Sequence, residues 1–255
     1  MDIVIIGSGN VATVLGRKFK TAGHQVLQIV SRNASTASKL AYELDTESTN
    51  YTSIINRNAE VYIIAIPDDA IAGLVADLQL PGKVVAHTSA SVSKNVLQNV
   101  TAHYGVFYPL QSLRKEDSGI TEFPFFYDGS DELTKKKLAA LAGSISPQPA
   151  LQAGDEARMK LHVAAVIVNN FTNHLYALAE AYCKKEGLDF KQLLPLINET
   201  TDRLKETTPS LSQTGPATRN DAETIKQHLA LLTHHPELKK VYEFLSASIS
   251  NTKVK

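Results

Sequence analysis

Four groups of residues in this chain have types and spacings that could carry chemistry. The first is Gly7-x-Gly9-x-x-Ala12, which follows the apolar run Ile3-Val4-Ile5-Ile6 without a break. A glycine that ends a buried strand permits a tight turn, and a second lets a pyrophosphate approach the backbone. A small third residue lets the next helix lie close to the sheet. The pattern predicts a dinucleotide whose phosphates lie over Gly7, Ser8, Gly9, Asn10 and Val11, where a helix N-terminus favours an anion. The second group is Ser31-Arg32, about 20 residues further on. An NAD site usually has an acidic residue there to hold the ribose 2′-hydroxyl. Here a planar cation and a hydroxyl take its place, a chemistry suited to a 2′-phosphate, and the expected cofactor is NADP (NADPH).

The third group lies where later strands end. Ile66-Pro67-Asp68 closes one apolar run and His87-Thr88-Ser89 closes another. Carboxyl ends of parallel strands border the ligand crevice of such folds. Asp68 and Asp69 read first as helix-capping residues. Thr88, Ser89 and Ser91 can serve as turn residues, and His87 as a buried, satisfied histidine. The fourth group is a polar stripe on a long helix. At 100° per residue His162, Asn169, Asn173 and Tyr176 share one side of an otherwise apolar segment. His87, Ser89, His162 and Asn169 are therefore the candidate catalytic residues. Asn169 and Ser89 would hydrogen-bond substrate, and one of the histidines would move the proton. Arg219 and Asp221 read either as turn chemistry or as groups reaching the cleft.

The elements that must position these groups alternate in the first half. Strands are expected at Ile3–Ile6, His24–Val30, Glu60–Ile66, Lys83–Ser91, Tyr104–Leu110, Phe123–Tyr127 and Ser146–Leu151. The first two strands are each followed by a helix, one carrying Val11, Leu15, Phe19 and Ala22 on one stripe and the other Ala37, Leu40, Ala41 and Leu44. A helix is also expected from Glu132 to Leu141. After Gly154 only helices are expected, beginning with one from Asp155, as its cap, to Glu186. Asp189 is expected to cap the next, which is disturbed at Pro195, and two more follow at 222–233 and 236–250. The fold class is α/β: a Rossmann-type doubly wound parallel sheet over residues 1–152, then a smaller all-helical domain over 153–255.

The chain has 255 residues, with 26 Lys and Arg balanced by 26 Asp and Glu. That balance gives no reason to expect nucleic acid or an anionic membrane surface as a partner. A single cysteine, Cys183, excludes an internal disulfide and a cysteine-based zinc site, and no metal is expected. The strand beginning at residue 3 leaves no room for a leader, so a cytoplasmic location is expected. The run Leu161–Val168 is apolar nearly all round, which predicts a homodimer through the helical half.

The motifs G-S-G-N-V-A at 7–12, S-R at 31–32, A-I-P-D-D-A-I at 65–71 and H-T-S-A-S at 87–91 form an ordered set. It continues with Y-P-L-Q-S-L at 108–113, K-L-H-V-A-A at 160–165 and T-G-P-A-T-R-N-D at 214–221. In this the chain resembles a Rossmann-like family of NADP-dependent oxidoreductases whose helical C-terminal half is a domain of unknown function. More distantly it is similar to pyrroline-5-carboxylate reductase, the deazaflavin-dependent NADP reductases and the 3-hydroxyacid dehydrogenases. The resemblance implies a site between an NADP-binding and a helical domain. One departure concerns the lysine that the hydroxyacid dehydrogenases place four residues before an asparagine. Ala165 and Val166 stand there, and Lys160 lies on the far side of the helix from Asn169, which leaves His162 better placed. Hydride transfer between NADP and a small carbonyl, imine or hydroxy-acid substrate in the interdomain cleft is the expected activity. An NADP-binding regulator or sensor without turnover is the alternative.

Overall fold

The computed structural model describes residues 1–116 and 122–252. Its sheet has eight strands in the order β3-β2-β1-β4-β5-β6-β7-β8. These are β1 (Asp2–Ile6), β2 (Gln25–Val30), β3 (Glu47–Thr49), β4 (Val61–Ile64), β5 (Val84–His87), β6 (Tyr104–Pro109), β7 (Phe125–Gly129) and β8 (Leu151–Gln152). The first six run parallel in a doubly wound order, with the switch point between β1 and β4. β7 is antiparallel to β6, so the sheet is mostly rather than wholly parallel. β3, three residues long, carries too little alternation to be seen in the sequence.

Helices cover both faces. On one, α1 (Asn10–Thr21), α2 (Ala34–Leu44) and α4 (Glu132–Ile145) pack Leu15, Phe19, Leu40 and Leu138 against Ile3, Ile5 and Phe107. Each of these large side chains contributes roughly 1.5–3 kcal/mol by leaving water. Ala22, expected on the α1 stripe, is instead an exposed C-cap. On the other face α3 (Asp68–Val75) and a 3-10 turn at Lys94–Leu97 cover Val4, Ile6, Tyr62 and Val85.

The chain divides into two compact units, Met1–Ile167 and Val168–Lys255, and the domain boundary expected at 152/153 falls within the first of them. α5 (Asp155–Ala165) falls in the first unit because Leu161 packs beside Tyr108 and Arg158 bonds to the loop after β5. The long helix expected from Asp155 to Glu186 is not uniform. A π-helical turn at Val166–Phe171 separates α5 from α6 (Thr172–Lys185). A π turn shifts the following residues around the axis, so the α-helical stripe drawn from His162 to Tyr176 does not hold across it. The helix also starts differently: Gly154 is the N-cap, and Asp155 turns to Arg158 and Lys94 rather than capping.

The second unit also contains α7 (Leu194–Asp202), α8 (Ala222–Leu231) and α9 (Pro236–Asn251). Pro195 sits in the first turn of α7, where its missing N–H costs nothing, so the expected disturbance becomes a start. Among the described residues no helix is long and apolar enough to cross a membrane.

Candidate active site

The cofactor cradle begins with two glycines that do different jobs. Gly7 has φ +132, and a Cβ there would lie 2.1 Å from the carbonyl oxygen of Ala65. That close approach joins the ends of β1 and β4, where Gly7 N–H also donates to Val30 O at 2.7 Å. At Gly9 a Cβ would meet nothing within 4 Å. Glycine is therefore not required there by the protein's own packing, as expected where a ligand needs the space. Gly9 is the N-cap of α1 and offers no side-chain acceptor to its first N–H groups. The residues present fit a dinucleotide pyrophosphate. Asn10 and Val11 form the first turn of α1, with Asn10 Oδ1 accepting from the Lys115 N–H at 3.3 Å.

A cluster of hydroxyls lies beside this loop. Ser8 Oγ donates to Ser31 Oγ at 2.8 Å and is 2.7 Å from Thr36 Oγ1. Asn33 caps α2 by accepting from Thr36 N–H. Arg32 is exposed between them, with no bonded partner among the described residues. The phosphate loop and the start of α2 are thus tied into one surface carrying hydroxyls and a free guanidinium. Thr36 was missed in the sequence because hydroxyl bonding between segments leaves no periodic trace.

Ile66 and Pro67 follow β4, and Pro67 is the N-cap of α3. Neither Asp68 nor Asp69 caps that helix with its side chain, contrary to expectation. Asp68 instead accepts a hydrogen bond from Ser91 Oγ, tying the loops after β4 and β5 together. Ser89 is buried, and its Oγ accepts from Ser91 N–H and Val92 N–H at 3.1 Å each.

His87 has no exposed surface. Its Nδ1 accepts from Ser89 N–H at 3.2 Å, which leaves the ring proton on Nε2, an atom with no hydrogen-bond partner among the described residues. Burial, and then the nearby Arg158 charge, push its pKa down to about 4, only partly offset by the Ser93 backbone, Asp155 and Asp68. His87 is a neutral donor at physiological pH.

Arg158, which sequence reading overlooked, is 1% exposed. Its Nε donates to Ala90 O at 3.1 Å, and its Nη2 donates to Val92 O at 2.7 Å and to Asp155 Oδ1 at 2.9 Å. Nη1 is unpaired. His162 lies one turn further along α5, half-buried, with Nδ1 3.1 Å from the Tyr108 hydroxyl. The first unit thus brings His87, Ser89, Arg158, Tyr108 and His162 to the carboxyl ends of β5 and β6. Asn169 lies exposed in the π turn, in the second unit. Asp221 caps α8 through Thr224 N–H, the turn chemistry allowed for it, and Arg219 is exposed.

The family model for coenzyme F420-dependent NADP oxidoreductases matches residues 2–91, and the domain of unknown function DUF2520 matches residues 123–249. BF3122 of Bacteroides fragilis, assigned as an NADP oxidoreductase, is 37% identical, with 98% of each chain covered and a TM-score of 0.88. The chain belongs to this family of NADP oxidoreductases. Two more distant structures share the fold. Pyrroline-5-carboxylate reductase of Streptococcus pyogenes is 14% identical over 99% of both chains, with a TM-score of 0.65. A reductive aminase of Aspergillus terreus, solved with NADPH, is 16% identical over 97% of this chain and 94% of its own, with a TM-score of 0.71. No curated protein matches the sequence.

Proposed function

We propose that the chain is an NADP-dependent reductase acting on a small carbonyl or imine compound, or on the hydroxy acid in the reverse direction. The observation that carries this reading is the open space at Gly9, in the loop that enters α1, beside the hydroxyl cluster of Ser8, Ser31 and Thr36. The pyrroline-5-carboxylate reductase and the reductive aminase related in fold, the latter solved with NADPH, support it. Bound NADPH would supply the hydride, and the chain would supply orientation and a proton. Gly7, Ser8, Gly9, Asn10 and Val11 would hold the pyrophosphate, and Ser31 and Arg32 the 2′-phosphate. Ile66, Pro67 and Asp68 would border the cofactor at the end of β4. His87 is sealed and neutral, so it would serve as a hydrogen-bond donor, and the proton would come from the more open pair of Tyr108 and His162. Ser89 shapes the turn. Incubating the protein with NADPH and a panel of keto, imino and hydroxy acids, followed at 340 nm, tests the reading. No turnover with any of them refutes it and leaves the NADP-binding regulator.

Cofactor choice gives a separate test. A charge-assisted contact from Arg32 to a 2′-phosphate is worth roughly 1.5–3 kcal/mol, so NADPH should bind about tenfold or more tighter than NADH. Fluorescence titration should show that preference lost in Arg32→Ala. Equal affinities in the parent protein would remove Arg32 from the site.

We also propose a homodimer formed through the helical unit. Val168 is 71% and Phe244 73% exposed in the single chain. Phe171, Leu175 and Phe244 help line an apolar groove of about 300 Å³ between α6 and α9. Such surface on one chain marks an interface. Light scattering should give twice the 27.8 kDa chain mass, and Phe244→Glu should return it towards the single mass. A parent protein that stays at the single mass at micromolar concentration sinks the proposal.

A further inference from the structure

Four polar side chains, His87 and Tyr108 from the sheet and Arg158 and His162 from α5, gather on one side of the sheet at the ends of β5 and β6. His87 pairs in register with Val106, so Tyr108, two residues on, presents its side chain to the same face. α5 lies over that face, with Leu161 packed against the apolar cluster that includes Val106 and Tyr108. Arg158 and His162, four residues apart, share one side of this helix. The arrangement grades from sealed to open. Arg158 and His87 are enclosed, Tyr108 is 8% exposed, and His162 is half-buried. The Tyr108 hydroxyl and His162 Nδ1 are 3.1 Å apart, with their rings edge to face at 6.2 Å.

Of the hydroxyls in this cluster, Ser89 Oγ already accepts two backbone N–H groups and Ser91 Oγ is given to Asp68. Among the described residues the Tyr108 hydroxyl has one partner, His162, and that partner can exchange protons with it. We propose that Tyr108 is the catalytic proton donor of the reductase and that His162 is the positioning residue that orients its hydroxyl and restores its proton. The inference rests on the reductase reading and deepens it.

The step balances as follows. The substrate carbon of a C=O or C=N bond takes the hydride, NADPH being oxidised to NADP+. The heteroatom takes the Tyr108 proton, so the Oη–H bond breaks and a new O–H or N–H bond forms. The phenolate then takes the proton on His162 Nδ1 while solvent supplies one to the ring at Nε2. Burial raises the Tyr108 pKa, with Asp68 adding to this and Arg158 opposing it, so the hydroxyl keeps its proton through the neutral range.

The test uses the whole chain, parent and variants, with Tyr108→Phe and His162→Gln compared in two measurements. The first is nitrogen NMR of the ligand-free protein, with the His162 signals identified by their loss in His162→Gln. Tyr108→Phe should move the His162 Nδ1 resonance. The second is NADPH oxidation with the acceptor found active. Tyr108→Phe should lower kcat by about 10²–10⁴-fold, the range typical of a general acid, while NADPH affinity measured by fluorescence stays within about threefold. His162→Gln should lose less, because the phenol remains, and should alter the pH profile of kcat. A His162 spectrum untouched by Tyr108→Phe overturns the pairing. Tyr108→Phe that turns over within threefold of the parent, beside a much slower His162→Gln, overturns the assignment and makes the histidine the donor. Absence of turnover in the parent overturns the reductase reading and this one with it, whereas turnover with an unaffected Tyr108→Phe overturns this one alone.

Discussion

Gly7→Ala is expected to damage the fold, and Gly9→Ala to leave the fold intact and damage cofactor binding. The two glycines stand two residues apart in one motif, but their surroundings differ. At Gly7 the φ of +132 is strained for any residue with a Cβ, and that atom would lie 2.1 Å from a backbone carbonyl oxygen that cannot rotate away. The backbone term is roughly 1–3 kcal/mol and the clash costs a similar amount. At about 2–4 °C per kcal/mol for a chain of this size, the melting temperature should fall by roughly 5–20 °C. At Gly9 there is no protein atom to meet, so the melt should shift by little. Its methyl group would occupy space given to the pyrophosphate, weakening contacts of helix N–H groups to a charged ligand. NADPH affinity should drop about tenfold to a hundredfold. Calorimetric melts without ligand, run beside NADPH titrations, separate the effects. A Gly9→Ala protein that binds NADPH like the parent would remove the phosphate loop from the site.

Much of this was legible in the sequence because it depends on local, repeated patterns. β1, the turn at Gly7 and α1 follow from an apolar run, two glycines and a stripe of Leu15 and Phe19, all within 20 residues. The strand ends bearing Pro67 and His87 could also be placed, since apolar runs stop where polar residues begin. The antiparallel direction of β7 could not be read, because Phe125, Phe126 and Tyr127 look alike in either direction. The π turn at Val166–Phe171 was equally hidden: the same residues satisfy an α-helical count, and only the hydrogen-bond ladder distinguishes the two. Arg158 was missed for a third reason. It stands in D-E-A-R-M-K, a stretch that reads as a solvated helix start, and only its bonds to carbonyls 66 and 68 residues earlier in the chain show that it is enclosed.

Arg158 should therefore carry a large share of the stability of the β5 loop, and Arg158→Met tests this while keeping most of the side-chain stem. The substitution leaves Ala90 O and Val92 O without their donor and Asp155 without its cation. Losing one partner of an enclosed charged pair costs about 3–5 kcal/mol, with the partial exposure of Asp155 favouring the lower end. The same change has a signature in acid that a simple packing loss lacks. In the folded parent His87 titrates at about 4, against an ordinary value of 6.5. Above pH 6.5 the ring is neutral whether folded or unfolded and contributes nothing to pH dependence. As the pH falls towards 4 the unfolded chain takes up a proton that the folded one refuses, so the fold loses up to about 3 kcal/mol. Burial is the larger cause of that depression and Arg158 the second, so removing the guanidinium raises the folded pKa part of the way back. Urea melts at pH 7.5 and pH 5 should show Arg158→Met well below the parent at the higher pH, with the gap narrowing at the lower one. A gap below about 1 kcal/mol at pH 7.5 would show that the loop does not depend on Arg158. A gap that stays constant with pH would show that its charge does not reach His87.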